Sequence, residues 1–130
     1  NTKDINMTIE ILFGDLFEDH RGKIFSYFPE DKIVEYNLMV TNAGDERGYH
    51  YHPHFDEYIM IVHGSVEFTA YSDSENFTKV FKVGDSFKIP KTVPHTFKAL
   101  EDLKFVSFLT HRWHDSNPPI VKIDKDGKTE

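Results

Sequence analysis

Short segments with the composition of β-strands recur along almost the whole chain and determine the class of fold that it can adopt. Residues 65–71 are the clearest case, because the apolar Val66, Phe68 and Ala70 alternate with more polar neighbours. A period of two is typical of a strand with one buried face. Clusters of Gly, Pro, Asp and Asn separate these segments, and no stretch of a dozen residues carries a helical apolar stripe. The pattern predicts an all-β sandwich or barrel, with strands at residues 7–13, 23–28, 33–41, 57–63, 65–71, 77–82, 96–100 and 104–110.

The length of the chain, 130 residues, fits one compact domain with a real hydrophobic core. Aromatic residues make up 15% of the chain and include 12 Phe, so we expect a core filled by rings. We predict a single domain over residues 1–130, with a barrel core at about residues 33–110. The segment 117–130 begins with proline and continues with charged residues, and it is predicted to be a loosely ordered tail that starts at a sheet edge.

The charge of the chain restricts the partners that it can bind. A formal net charge of −7 argues against nucleic acid, because binding to phosphates requires a basic stripe. The same balance disfavours an anionic membrane surface, and no apolar run has the length of a membrane helix. Cysteine is absent, which excludes disulfides, thiolate metal sites and cysteine nucleophiles. We therefore expect a cytoplasmic protein whose partner is a small molecule.

The histidines are the residues that point to chemistry. His50, His52 and His54 alternate along one short span, and Glu57 follows at the start of the next apolar segment. Residues two apart on a strand point to the same side, so the three imidazoles are expected on one face. Imidazole and carboxylate ligands suit Zn, Mn, Fe or Ni, whereas a copper(I) site would need soft thiolates. On this spacing alone, solvated or structural histidines are an equal alternative to a metal site.

The glycines on either side of this span add a longer pattern. Gly44, His50, His52, Glu57 and Gly64 follow the order G, five residues, H-x-H, four residues, E, six residues, G. This order resembles the first motif of the cupin superfamily. The resemblance implies a cupin-type double-stranded β-helix, a jelly-roll barrel, with one divalent metal ion bound inside its mouth.

A second block resembles the second cupin motif, in which G, five residues, P-x-G, two residues and H are followed after three residues by N. The chain has Gly84, Pro90 and His95 at the matching positions, with Thr92 in place of the usual Gly and Ala99 in place of the usual Asn. Both departures fall on turn and support positions and leave the ligand in place. The resemblance extends over about residues 44–99 and implies the metal ligands His50, His52, Glu57 and His95.

Two side chains near this pattern have alternative interpretations. Asp56 could replace Glu57 as the carboxylate ligand, because a slip of one residue exchanges the faces of a strand, and the motif spacing favours Glu57. Trp113, between His111 and His114, could line the mouth of the barrel or stack on a substrate ring. Packing at the barrel rim is the favoured interpretation of Trp113.

Two further stretches resemble a particular group of cupins. Residues 19–25 (DHRGKIF) and 47–51 (RGYHY) are similar to the D-x-R-G-x-x-F and R-G-x-H-Y elements of nucleotide-sugar cupins. These are the dTDP-4-keto-6-deoxyhexose epimerases and 3,4-ketoisomerases of polysaccharide biosynthesis. The resemblance implies that Arg21 and Arg47 hold the anionic part of a nucleotide sugar, since a guanidinium fork suits phosphate oxygens. It also implies a proton-transfer role for His50.

The two resemblances disagree about His50. A histidine bound to a metal ion cannot also act as a free general base. The sugar epimerases and ketoisomerases that the chain resembles lack the full set of metal ligands, whereas this sequence has all four. We predict that His50 is a ligand and that proton transfer passes to His54, Tyr49 or Tyr51, or to a water on the metal. The predicted function is that of an isomerase or epimerase acting on a sugar or nucleotide sugar. The alternatives are a mononuclear metal cupin of the dioxygenase type and a non-catalytic module that binds a sugar.

The cupin resemblance also carries an expectation about assembly. Cupins often pair through an edge strand or a swapped arm. We therefore expect a homodimer that forms through the N-terminal strand.

Overall fold

The computed structural model describes residues 9–130, which form an almost entirely β structure. Residues 7 and 8, at the start of the first predicted strand, lie outside the described residues. Within residues 9–130, no helix has the length and hydropathy of a membrane span. A short 3₁₀ helix, Trp113–Asp115, precedes the last strand. The strands are β1 (Glu10–Ile11), β2 (Asp15–Asp19), β3 (Gly22–Ser26), β4 (Glu35–Thr41), β5 (Glu46–Tyr51), β6 (Glu57–His63), β7 (Ser65–Ala70), β8 (Phe77–Lys82), β9 (Ser86–Ile89), β10 (His95–Ala99), β11 (Leu103–Leu109) and β12 (Val121–Lys122).

The strands form two five-stranded antiparallel sheets and a separate hairpin. The first sheet has the order β1-β9-β6-β11-β4 and the second has the order β12-β5-β10-β7-β8, while β2 pairs with β3. Many neighbours in a sheet are distant in sequence, as in β11, which pairs with both β4 and β6. Two facing sheets built in this way are the arrangement of a jelly roll. The predicted all-β jelly-roll barrel is therefore confirmed.

One apolar core fills the space between the two sheets. The first sheet contributes Phe87 and Phe105, and the second contributes Phe68 and Phe97, all of them buried. The ring centroid of Phe68 lies 4.8 Å from that of Phe87 and 5.2 Å from that of Phe97. Such aromatic pairs add about 0.5–1.5 kcal/mol each beyond the burial of their area. The core continues to the functional site, since the ring of Phe68 also lies 6.0 Å from that of His95.

Every predicted strand overlaps an observed one. Besides β12, which lies in the segment predicted to start at a sheet edge, three observed strands have no predicted counterpart. These are β2, β5 and β9. In β5, Gly48 and Tyr49 have positive φ angles of 106° and 55°. This irregular backbone breaks the alternation of inward and outward side chains, so the sequence of β5 lacks the period of two that marks a strand. β9 has only four residues and ends directly before Pro90. β2 begins and ends with aspartate, a residue that is depleted in strands.

The segment that follows Asn117 includes a short strand at the edge of the second sheet. β12 pairs with β5, and the side chain of Ile123, immediately after β12, is only 3% exposed. Ile123 also forms a β-bridge with Thr129. The charged residues of this segment conceal a short apolar run, Ile120, Val121 and Ile123, which is enough to form an edge strand.

Candidate metal centre

An irregularity in β5 sets the position of His50. His50 pairs with His95 of β10, and Gly48 pairs with Thr96, so Tyr49 is an extra residue without a partner in β10. Bulges of this kind re-aim the side chains next to them. A Cβ atom on Gly48 would lie 2.7 Å from the carbonyl oxygen of His95, so the close approach of the two strands depends on glycine.

Three imidazoles converge at one end of the barrel. One ring nitrogen from each of His50, His52 and His95 lies within 4.8 Å of the others. The ring centroid of His50 is 4.7 Å from that of His52 and 5.0 Å from that of His95. His95 is fully buried, His52 is buried and His50 is half-buried. The structure thus brings together three of the four predicted ligands as one cluster.

The fourth predicted ligand, Glu57, lies against this cluster. Its Oε1 atom is 3.2 Å from Nε2 of His52 and 3.7 Å from Nε2 of His95. Its Oε2 atom accepts a hydrogen bond of 2.5 Å from the hydroxyl of Ser107 on β11. Asp56, the alternative ligand, instead accepts a hydrogen bond from the backbone N–H of Lys91. The placement favours Glu57 over Asp56.

Two backbone carbonyls orient the histidine rings. Nδ1 of His52 lies 3.0 Å from the carbonyl oxygen of Pro119, and Nδ1 of His95 lies 2.9 Å from that of Val93. A carbonyl can only accept, so each Nδ1 carries the proton and a neutral ring presents the lone pair of Nε2 to the site. Among buried side-chain nitrogen and oxygen atoms of residues 9–130, Nε2 of His95 is the one without a hydrogen-bond partner.

With both Nδ1 protons bound to carbonyl oxygens, the atoms that face the interior of the site are all acceptors, as a metal ion requires. Nε2 of His52 and Nε2 of His95 are acceptors that face a third acceptor, Oε1 of Glu57. Buried acceptors that face each other are costly unless a cation lies between them. A proton on His52 would satisfy one pair and leave His95 unpaired, whereas a divalent cation would satisfy all of them. The residues therefore fit a metal ion with nitrogen and oxygen ligands.

The pKa shifts give the protonation states that metal binding needs. Burial lowers the pKa of His50 to about 3, and the neighbouring imidazoles add to this effect. Burial also lowers the pKa of His95 to about 4, although Glu57 opposes the shift. Burial raises the pKa of Glu57, but the hydrogen bond and attraction of His52, which act when its ring carries a proton on Nε2 as well, outweigh it with smaller contributions from His95 and Ser107 and bring the value to about 2. At neutral pH, His50 and His95 are thus neutral and Glu57 is ionised.

Comparison with known proteins agrees with this architecture. A family model described as the cupin domain matches residues 37–111, more than half of the chain. The chain belongs to the cupin family. No curated protein matches this cupin at a significant level.

Solved structures with the same fold include several enzymes that act on sugars. A sugar 3,4-ketoisomerase from Thermoanaerobacterium thermosaccharolyticum in complex with TDP is 12% identical, with a TM-score of 0.77 over 92% of this cupin and 90% of that chain. A dTDP-4-dehydrorhamnose 3,5-epimerase from Sulfolobus tokodaii is 22% identical, with a TM-score of 0.79 over 95% of this cupin and 81% of that chain. A 3,5-epimerase from Legionella pneumophila in complex with dTDP-4-keto-L-rhamnose is 20% identical, with a TM-score of 0.75 over 91% and 73% of the two chains. At these identities the comparison establishes a common fold.

Aromatic side chains pack behind the histidine cluster at the rim of the cupin barrel. The ring of Phe55 stacks on that of His52 with centroids 4.5 Å apart, and Phe55 is 1% exposed. The Trp113 ring lies 5.8 Å from that of His52 and 6.1 Å from that of Phe55. The backbone N–H of Trp113 donates to Oε1 of Glu35. Trp113 thus packs against His52, one of the predicted ligands.

The three residues predicted to transfer protons lie around the cluster rather than in it. His54 is exposed, and its Nε2 atom lies 3.1 Å from the carbonyl oxygen of Asn117. The hydroxyl of Tyr49 donates to Glu46 at 3.0 Å, and burial, followed by Glu46, raises the pKa of Tyr49 to about 12. Tyr51 lies between two histidines of the cluster, so strand alternation directs its side chain to the other face of β5.

The two predicted substrate arginines make their contacts away from the histidines. The exposed guanidinium of Arg21 pairs with Asp19 in the β2–β3 hairpin, with Nη2 and Oδ2 2.6 Å apart. Arg47 donates from Nε to the hydroxyl of Thr41 and from Nη2 to the carbonyl of Val40. The structure does not bring either arginine into contact with the histidine cluster.

Ser107, whose hydroxyl donates to the second oxygen of Glu57, was not among the predicted site residues. A signal for it exists, because β11 points Leu103, Phe105, Ser107 and Leu109 to its buried side. A hydroxyl at an inward-facing position among large apolar residues needs a polar partner. The carbonyls of Val93 and Pro119 had no such signal, since backbone atoms leave no mark on residue type.

The stability of the metal-free protein should depend on pH in a defined direction. Below about pH 6.5 the unfolded chain takes up protons at His50 and His95 that the folded protein, with pKa values of about 3 and 4, does not bind. The free energy of unfolding should therefore fall as the pH is lowered from 6.5 to 4, by about 1–3 kcal/mol for His95. Glu57 contributes a further loss in the same direction below about pH 4.5.

Urea unfolding of chelator-treated protein between pH 7.5 and 4 measures this dependence. The variant His95→Gln should show a smaller slope, whereas His63→Gln, at an exposed position of β6, should keep the slope of the wild type. A free energy of unfolding that stays level or rises on acidification over this range would contradict the burial of neutral histidines.

Proposed function

We propose that this cupin binds one divalent transition metal ion and acts as an isomerase or epimerase on a sugar or nucleotide sugar. The observation that carries the metal part is the buried Nε2 atom of His95, which has no hydrogen-bond partner among the described residues and faces Glu57. The proposed ligands are His50, His52, Glu57 and His95. Three imidazoles and one carboxylate suit Zn, Mn, Fe or Ni, and they leave coordination positions open for a substrate.

The proposed substrate class rests on the kinship of fold and on two sequence elements. The titles of similar structures name complexes with TDP and with dTDP-4-keto-L-rhamnose. We infer that this cupin also takes a keto sugar, carried on a nucleotide. Arg21 and Arg47 remain our candidates for binding the anionic part. The hydrogen bonds of Arg47 use Nε and Nη2, so Nη1 is the donor group left for such a contact.

Bound at this site, a divalent metal ion would stabilise negative charge that develops on the carbonyl oxygen of the sugar. The chain itself must move a proton at the carbon next to that carbonyl. We place this role on His54, which uses Nε2 for the hydrogen bond with Asn117 and has Nδ1 available for proton transfer. Tyr49 suits the role less well, because its raised pKa of about 12 keeps the phenol protonated at neutral pH.

The alternative role of His50 as the general base receives less support. A general base works best when its pKa lies near the operating pH. Burial and the neighbouring imidazoles bring the pKa of His50 to about 3, which makes it a weak base at neutral pH. A neutral imidazole of this kind suits metal ligation.

Metal uptake should depend on the histidine cluster. Protein purified without a histidine tag should carry about one metal ion per chain by elemental analysis, and chelator-treated protein should take up Zn or Mn again. The variant His95→Gln should lose most of the bound metal because the buried ligand is gone, while His63→Gln should retain it. A wild-type protein that fails to take up Mn, Fe, Ni or Zn would refute the metal part of the proposal.

Solvent exchange tests the sugar part. With dTDP-linked or UDP-linked 4-keto sugars in deuterated water, deuterium should enter the substrate next to the carbonyl. The variant His54→Gln should slow this exchange by about 10²–10⁴-fold, as expected for loss of a proton-transfer group. His114→Gln, an exposed histidine at the rim, serves as the matched control. Stabilisation of the fold by a sugar that never exchanges would instead indicate a binding module.

We also retain the homodimer as a proposal, but we move its interface from the N-terminal strand, where we expected it, to β4. This edge strand exposes Tyr36, Leu38 and Val40 by 74%, 62% and 51%. An exposed apolar edge without repelling charges favours antiparallel pairing with a second copy. Glu35, the single charged residue of β4, is occupied by Asn37 and the backbone of Trp113.

The mass in solution tests this assignment. Light scattering should give twice the chain mass for the wild type and the single chain mass for Leu38→Lys, because the lysines would meet across the interface. Val80→Lys, on the edge strand β8 of the other sheet, should remain dimeric. A monomeric wild-type protein would contradict the proposal.

A further inference from the structure

The C-terminal segment, residues 117–123, runs beside β5 and contacts two histidines of the site. The carbonyl oxygen of Pro119 lies 3.0 Å from Nδ1 of His52. The carbonyl oxygen of Asn117 lies 3.1 Å from Nε2 of His54. Two backbone carbonyls of one short segment therefore meet a proposed metal ligand and the proposed proton-transfer group.

Regular hydrogen bonding and apolar burial hold this segment in place. Val121 and Lys122 pair with Tyr51 and His50 of β5. The backbone N–H of Ile123 donates to the carbonyl of Tyr49 at 2.9 Å, and the Ile123 side chain is buried. Ile123 is not one of the proposed ligands, and its backbone hydrogen bond to β5 goes to Tyr49 and not to a histidine.

The hydrogen bond to Pro119 determines whether Nε2 of His52 carries a proton or a lone pair. With the proton on Nδ1, donated to Pro119, Nε2 offers a lone pair to the site. Without Pro119, the favoured neutral tautomer would carry the proton on Nε2 and donate it to Oε1 of Glu57, which is 3.2 Å away. That second arrangement would place a proton where a metal ion would bind and would occupy two of its ligands.

We propose that the C-terminal segment is a positioning element that selects the metal-binding tautomer of His52 through the carbonyl of Pro119. This inference rests on the proposed metal site and adds that the site depends on residues outside the barrel core. Outer hydrogen bonds of this kind change metal affinity by about 10–100-fold when they are lost. By linkage, a bound metal ion should in turn hold the segment more firmly against β5.

The experiment releases the segment without altering a ligand. Ile123→Asp should release the segment from β5, whereas Ile123→Val should leave the segment in place. Leu103→Ala should destabilise the core at a distance from the segment and so serves as the control for a general loss of stability. Cobalt(II) affinity, measured by chelator competition, should fall about 10–100-fold for Ile123→Asp alone. The visible spectrum of bound cobalt(II) should also change for this variant alone. Amide exchange at Ile123 in the wild type should slow when cobalt(II) is added.

A second measurement reads the tautomer directly and needs no metal. Nitrogen-15 NMR of the His52 ring in metal-free protein should show a proton on Nδ1 in the wild type, in Ile123→Val and in Leu103→Ala. In Ile123→Asp the proton should move to Nε2. If Ile123→Asp does not fold, as judged by circular dichroism, Ile123→Ala takes its place.

The outcomes separate this inference from the proposed function. A proton that stays on Nδ1 after the segment is released overturns the inference, and so does a cobalt(II) affinity that falls equally in Leu103→Ala. A wild type that binds no metal but shows the shift of the proton from Nδ1 to Nε2 in Ile123→Asp refutes the metal site and upholds the positioning of His52.

Discussion

Acceptor atoms that face each other inside an apolar barrel are the constraint on which the rest of this site depends. Nε2 of His52 and Nε2 of His95 both point at Oε1 of Glu57, at 3.2 and 3.7 Å. The surroundings are buried, so water cannot screen their repulsion as it would at the surface. A proton can resolve one of the two contacts, whereas a divalent cation can resolve both. The choice between a proton and a metal ion is therefore the central chemical question of this molecule.

The remainder of the structure serves to keep these atoms in place. Ser107 takes one oxygen of Glu57, which leaves the other oxygen for the histidines. The carbonyl oxygens of Pro119 and Val93 accept hydrogen bonds from Nδ1 of His52 and of His95. Gly48 allows β5 to approach β10 closely at the level of His95. Each of these contacts comes from a different part of the chain, so the site exists only when the whole jelly roll is formed.

The sequence could predict the fold and the clustering of the histidines because both leave a pattern of residue types. Strands with a buried face, such as β7, alternate apolar and polar residues. The spacing from Gly44 to Gly64 resembles the cupin motif, and its residues His50, His52 and Glu57 lie on β5, in the following loop and on β6. The bulge at Tyr49 could not be predicted, since its left-handed backbone is favoured by no feature of a tyrosine.

Other parts were hidden because the interactions involve backbone atoms or compete with a stronger local signal. A sheet edge was expected at the start of the segment from residue 117, but no residue type in it indicated that the strand beside it is β5. The carbonyl of Pro119 has the same chemistry as every other carbonyl, and only the path of the chain places it beside His52. A sequence element can also match a motif without showing what its side chains contact. The R-G element at Arg47 did not predict that the guanidinium of Arg47 donates hydrogen bonds to β4.

X-ray absorption at the metal edge of zinc-loaded protein shows directly whether the histidine cluster binds the ion. The distinctive scattering of imidazole rings reports how many histidines bind the ion. We expect three imidazoles and an oxygen ligand, with zinc–nitrogen distances of about 2.0–2.1 Å. A spectrum without imidazole scattering, or with a single ring, would contradict the convergence of His50, His52 and His95 on one cation.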